Sequence, residues 1–192
     1  ESHLNSFAGL YAFNSFVLDN NFVPSKVEPL FNRFPDALKS SSLGVFAAEK
    51  IAKGKLRAVG AQATDFMQND VNGKPFSLSS LRGKWVLVDF WASWCKPCRA
   101  ENPNLLKAYN RLKDKNFEIV GVSLDSYAEM WKGAIKEDGM PWIQVSDLKG
   151  GKNEAAVMYG ITSIPQNLLI NPEGIIMARN LRGEDLTEKL SG

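Results

Sequence analysis

Two cysteines make up the whole thiol inventory of this chain, and they stand three positions apart as Cys95-Lys96-Pro97-Cys98. Random placement would rarely put both into one C-x-x-C. A disulfide that only staples a fold is expected to close a longer loop, because a short loop restrains the unfolded chain less. The spacing therefore points to thiol chemistry. The phrase Val88-Asp89-Phe90-Trp91-Ala92-Ser93-Trp94-Cys95 reads as a buried strand running into a turn, with a helix opening at the dithiol. The unpaired N–H groups and the dipole at a helix start stabilise a thiolate, which is the nucleophilic form. Cys95 is the expected attacker. Cys98, one turn further in, is expected to be more shielded and to resolve the mixed disulfide. Lys96 adds a positive charge beside Cys95, and Pro97 falls in the first turn, where its missing N–H costs little. Half a zinc site is disfavoured, since four N/S ligands are usual and the chain holds a single histidine, His3. Haem attachment needs a histidine where Arg99 stands. An inert pair is the remaining alternative.

The elements that must position this pair are legible as patterns. Asp65-Phe66-Met67 and Pro75-Phe76-Ser77-Leu78 flank the turn Asn72-Gly73, which predicts a hairpin. Trp85 to Phe90 is a continuous apolar run ending beside an acid, the mark of a central strand. A helix is predicted from Lys96 to Lys113, a strand from Phe117 to Ser123, and a helix from Tyr127 to Glu137 carrying Met130, Trp131, Ala134 and Ile135. A short strand over Trp142 to Val145 and a short helix over Glu154 to Tyr159 follow. Gln166 to Ile170 and Ile175 to Asn180 form a second hairpin, and Glu184 to Leu190 begins a last helix. Trp131 and Trp142 read as core. Strands alternating with helices predict an α/β domain with parallel strands over residues 59–192.

Residues 1–58 have another texture, rich in phenylalanine and without period-two alternation. Ser25-Lys26-Val27-Glu28 reads as a capping box opening a helix that carries Val27, Leu30, Phe31, Phe34 and Leu38. Ser40-Ser41-Ser42 is expected to cap another, carrying Leu43, Phe46, Ala47 and Ile51. Lys53-Gly54-Lys55-Leu56-Arg57 reads as a linker. The expectation is a helical segment that ends a larger N-terminal region.

Composition sets the outer bounds. Hydrophobic residues at 44% and charged residues at 23% suffice for a core without staples. A net charge of +2, with no basic cluster interleaved with aromatics, gives nucleic acid no electrostatic footprint. No run of 18 apolar residues exists to span a membrane. The chain starts Glu1-Ser2-His3 with neither methionine nor a signal-peptide pattern, so a trimmed or mature chain is expected, with room for a lipid anchor outside it.

Trp94-Cys95-Lys96-Pro97-Cys98-Arg99, with Asp89-Phe90-Trp91-Ala92 before it, resembles the thioredoxin superfamily. Glu101-Asn102-Pro103 after the dithiol, Gly60 to Phe66 with Leu78 to Lys84, and Tyr159 to Pro165 with Leu168 to Gly174 are similar to the TlpA/ResA-type periplasmic oxidoreductases, whose hairpin is shared with the AhpC/TSA (peroxiredoxin-like) branch. The resemblance covers about residues 59 to 190. It implies a thioredoxin-like fold: a central mixed sheet flanked by helices, with an N-terminal hairpin and an inserted βα segment. It implies exchange between the Cys95–Cys98 pair and protein thiols or disulfides, as a reductase fed by an upstream redox donor, outside the cytoplasm. No cofactor beyond the redox disulfide and no metal are implied.

Residue by residue, Cys95 matches the nucleophile, Cys98 the resolving thiol, and Pro165 the cis-proline, with Ile164 before it offering its backbone to a substrate peptide. Asp89 matches the buried acid that moves protons for the resolving thiol, and Glu101 the glutamate of the ResA-like group. Carrying both acids is a departure. Structural alternatives are a hydrogen-bonded core acid for Asp89 and simple dipole compensation in the first helical turn for Glu101. Pro103 matches a helix-kinking proline. Trp94 is the expected partner contact, with Trp91 packing near the dithiol. Gln166 and Asn167 replace frequent threonines, which implies altered partner preference. Two rivals stand beside this reading. One is a peroxiredoxin-like peroxidase, although Ser93-Trp94 precede Cys95 where such enzymes carry Thr-x-x-Cys. The other is a binding module switched by its dithiol.

Overall fold

The structure, a computed structural model, describes residues 4–183, 185, 188 and 189. His3 lies outside the described residues, as do Glu184, Leu186, Thr187 and Leu190 of the expected last helix. The chain divides into two compact units, Glu1–Ala58 and Val59–Gly192.

The first unit is helical: α1 (Phe7–Ala12) runs into a π-helical turn (Phe13–Val17), followed by α2 (Pro24–Phe31), α3 (Asp36–Lys39) and α4 (Ser42–Leu56). Its core is aromatic. The Phe13 ring stacks on Phe31 at 5.9 Å and meets Phe34 edge-on at 5.6 Å. Ser41 caps α4, its hydroxyl accepting from the Gly44 N–H at 3.2 Å. Three expectations need correction here. The capping box at Ser25 does not form: α2 starts at Pro24 with Val23 as N-cap, because proline at the first helical position already has the helical φ and gives up no needed donor. Residues 53–57 are not a linker. Helix α4 runs to Leu56, where Lys53 and Lys55 in its last turn oppose the negative end of the dipole. Gly54 is needed there because a Cβ would stand 2.5 Å from the Phe22 ring. Arg57, 2% exposed, closes the helix with its guanidinium 5.8 Å from the centre of that ring. Finally, Phe46 faces outward; the smaller Gly44, Ala47, Ile51 and Gly54 form the packed face of α4.

The second unit is built on a seven-stranded sheet. Its elements are β1 (Met67–Asp70), β2 (Pro75–Ser77), β3 (Trp85–Trp91), α5 (Lys96–Leu112), β4 (Phe117–Ser123), α6 (Ala128–Glu137), β5 (Ile143–Ser146), α7 (Glu154–Met158), β6 (Gln166–Ile170) and β7 (Ile176–Arg179). The strand order is β2-β1-β5-β4-β3-β6-β7. β3 is parallel to β4 and antiparallel to β6, and β4 is parallel to β5. The β1–β2 hairpin turns at Gly73, whose φ of +79° suits glycine. β3 is buried from Val86 to Trp91 on both faces, which explains why its sequence is apolar but for Asp89. Fully buried side chains such as Leu87 and Phe90 each contribute about 1.5–3 kcal/mol, so packing, rather than surface charge, fixes this strand at the centre.

Helix α5 lays Cys98, Asn102, Leu105, Ala108 and Leu112 on the core at helical spacing. Arg99 grips Asp138 at the end of α6 through Nε at 2.8 Å and Nη2 at 2.6 Å, with Asn102 adding a third bond at 2.7 Å. The Arg99 guanidinium holds the Asp138 carboxyl below the usual range. These contacts pin the dithiol helix against α6. Trp131 and Trp142 are buried, but Met130 points outward, 60% exposed, because α6 turns only Trp131 and Ala134 fully inward.

Candidate active site

The loop from β3 to α5 is held by a carboxylate. Asp125, just past β4 and 2% exposed, accepts from the Ser93 N–H at 2.9 Å, the Ser93 hydroxyl at 2.5 Å and the Ser123 hydroxyl at 2.7 Å. The Cys95 N–H then bonds the Ala92 carbonyl at 3.0 Å, turning the chain into the helix. No pattern in the sequence singles out Asp125, since its partners come from two different strand ends. Replacing it with alanine leaves three donors unpaired, and we expect a loss of roughly 2–4 kcal/mol with slower dithiol exchange. Thermal denaturation of Asp125→Ala checks this; a Tm within a degree of the parent's would mean that the loop is held by other contacts.

Cys95 is the N-cap of α5, and its Sγ accepts from the Cys98 N–H at 3.2 Å. The two cysteines form a disulfide with their Cα atoms 5.3 Å apart. In this form Cys95 is 5% and Cys98 3% exposed, so exposure barely separates them and helix position does. Lys96 and Pro97 occupy the first two helical positions and are exposed, as is Trp94 at 63%. Trp91, by contrast, is buried and donates from Nε1 to Gln144 Oε1 at 3.0 Å. Among the described residues no three His, Cys, Asp or Glu side chains gather as a metal-binding group.

Asp89 lies on β3 in register with Gly121 of β4 and Asn167 of β6. Burial is the largest influence on its carboxyl and pushes its pKa up to about 7. The Arg182 charge and a hydrogen bond with Asn167 pull it back, while Glu101 adds to the rise. Glu101 is the sixth residue of α5, not a first-turn residue, because the helix begins only after its cap at Cys95; dipole compensation therefore does not account for it. Its Oε1 accepts from the Gly183 N–H at 2.5 Å and its Oε2 from Asn104 Nδ2 at 3.2 Å. The Ile164–Pro165 bond is cis, both residues are half-buried, and the Pro165 carbonyl accepts from Arg182 Nη2 at 2.7 Å. Gln166 and Asn167 are buried, at 5% and 1% exposure. Asn167 clamps Leu181, donating to its carbonyl and accepting from its N–H, each at 2.9 Å. Asp89, Glu101 and Pro165 are thus all tied to residues 181–183, a convergence that no sequence motif announces.

Residues 59–179 match the AhpC/TSA family. The chain belongs to the AhpC/TSA family. It is 31% identical over 139 residues to the thiol-disulfide oxidoreductase ResA of Bacillus cereus, an alignment that covers 72% of this chain and 78% of the relative. It is 30% identical over 174 residues to the thiol:disulfide interchange protein HelX of Rhodobacter capsulatus, covering 90% and 84%. The thioredoxin domain of a thiol-disulfide oxidoreductase from Bacteroides vulgatus superposes with a TM-score of 0.66 at 44% identity, covering 70% of this chain and 96% of that one. The Cys95–Cys98 pair is accordingly the redox centre of a thiol–disulfide oxidoreductase with a thioredoxin fold. The peroxidase alternative is not favoured, since these relatives are named for thiol–disulfide exchange. Among the described residues no helix is long and apolar enough to cross a membrane.

Proposed function

We propose that this AhpC/TSA-family chain reduces disulfides in protein substrates outside the cytoplasm, using only its own dithiol as the redox group. The observation that carries this reading is the seat of Cys95 at the cap of α5, with its sulfur on the Cys98 N–H. In the reduced protein the same N–H and the helix dipole favour the Cys95 thiolate. That thiolate attacks one sulfur of a substrate disulfide. The substrate S–S bond breaks, a Cys95–substrate bond forms, and the departing thiolate takes up a proton. Cys98 passes its proton to the Asp89 carboxylate and attacks Cys95 Sγ, closing the Cys95–Cys98 disulfide and releasing the second substrate thiolate. Two electrons have then passed from the protein to the substrate. An upstream dithiol protein restores the reduced pair. An Asp89 carboxyl that titrates near neutral pH suits both directions of this transfer.

Trp94, Lys96, Pro97, Ile164 and Pro165 supply the substrate contacts in this reading, the Ile164 backbone pairing with an extended peptide. Glu101 holds the segment that carries Arg182, through the Gly183 N–H. Extracytoplasmic residence follows the resemblance to the TlpA/ResA-type proteins, and residues 1–58 are assigned to a helical segment separate from the exchange domain.

Catalytic amounts of the protein, with dithiothreitol as donor, should accelerate insulin reduction far beyond dithiothreitol alone, as read by precipitation of the freed chain. A rate equal to dithiothreitol alone, or faster consumption of hydrogen peroxide than of insulin disulfide, overturns the reading.

A further inference from the structure

The segment that follows β7 meets the site at four points. Asn167 of β6 clamps Leu181 on both its N–H and its carbonyl. Arg182 Nη1 donates to the Leu181 carbonyl at 2.8 Å, while its Nη2 reaches the Pro165 carbonyl at 2.7 Å. The Gly183 N–H bonds Glu101 of α5 at 2.5 Å. One guanidinium therefore bridges the end of the sheet and the loop expected to pair with substrate.

Four elements bring groups to Asp89. From β4 comes Gly121, with no side chain, and from β6 the neutral Asn167. From α5 comes the carboxylate of Glu101, and from the segment after β7 the guanidinium of Arg182. Arg182 is the one cation in this set. A buried carboxyl with a second carboxylate nearby is driven towards its protonated form, and a cation is what opposes that drive.

We propose that Arg182 is a positioning residue of the exchange reaction: it fastens residues 181–183 to the Pro165 loop and supplies the positive charge that keeps Asp89 able to accept the Cys98 proton. This inference rests on the proton-acceptor reading of Asp89. A guanidinium suits both tasks because it stays charged and donates in a fixed fork to two carbonyls at once.

The test is the pH profile, from pH 5 to 9, of single-turnover oxidation of the reduced protein by insulin, followed by alkylation and intact mass. The parent should show an acid limb near pH 7, set by Asp89. Arg182→Gln, which keeps a donor but removes the charge, should move that limb upward by about one pH unit, a roughly tenfold loss of rate well below the limb. Arg182→Lys, which keeps the charge, should leave the limb in place. Asp89→Asn should abolish the limb, and Arg182→Gln added to it should then shift nothing. An unmoved limb in Arg182→Gln, a limb displaced in Arg182→Lys, or a shift that persists in the Asp89→Asn background overturns the inference alone. An Asp89→Asn profile identical to the parent overturns the proton-acceptor reading and the inference together. Should Arg182→Gln fail to fold, the Arg182→Lys and Asp89→Asn profiles still decide between these outcomes.

Discussion

Replacing Cys98 with serine turns the protein into a trap. Cys95 keeps its seat at the cap of α5 and attacks a substrate disulfide as before, but no second thiol remains to release the product. The expected result is a covalent, dithiothreitol-sensitive complex between the Cys98→Ser protein and insulin, visible by non-reducing electrophoresis, with turnover at the level of dithiothreitol alone. Cys95→Ser should give neither complex nor turnover. Its remaining thiol, Cys98, lies one turn inside the helix, away from the cap position. The pair of variants assigns the roles: a complex formed by Cys95→Ser and absent from Cys98→Ser would exchange attacker and resolver.

The second large effect is on stability. Asp89 has an ordinary pKa of 3.8 when unfolded and about 7 when buried beside β4 and β6. Between those values the native protein holds a proton that the unfolded chain has released. Stability therefore falls as pH rises from about 4 to about 7, and is flat above that for this group. About three pKa units at 1.36 kcal/mol each make this some 4 kcal/mol, a large share of a typical 5–15 kcal/mol total. Asp89→Asn preserves the shape and removes the titration. Denaturant unfolding of the oxidised proteins at pH 4.5 and pH 8 should thus show the variant gaining on the parent by several kcal/mol at the higher pH. Equal differences at both pH values would mean that Asp89 does not carry a raised pKa.

The parts of the fold that sequence reading captured are those whose signal is local. The apolar run of β3, interrupted only by Asp89, the Asn72-Gly73 turn and the helical spacing behind Cys98 each identify an element without help from the rest of the chain. The match of residues 59–179 to the AhpC/TSA family accords with the resemblance drawn from the dithiol and its flanking motifs. The misreadings arose where a local signal has two uses. Lysines around a glycine mark a linker, but they also suit a helix C-terminus packed under an aromatic ring, which is how Gly54 meets Phe22. Serine three residues before glutamate suggests a cap at Ser25, yet Pro24 starts the helix first. Apolar Phe46 and Met130 suggested core positions on helices whose buried faces lie elsewhere. Asp125 and Arg182 were illegible for another reason. Their importance comes from hydrogen-bond partners 32 and 17 residues away, contacts that exist only once the sheet has closed.

In the disulfide form both residues of the pair are buried, Cys95 at 5% and Cys98 at 3% exposure. On the proposed reading, a client brings its crosslink in on a backbone extended enough to lie along the Ile164–Pro165 loop and loose enough to present one sulfur in line. Crosslinks sealed within finished, tightly packed proteins do not meet that demand, and those on frayed or unfinished chains do. On the proposed reading, the burial of the pair makes the client's degree of folding, more than its amino-acid sequence, the criterion by which it is chosen.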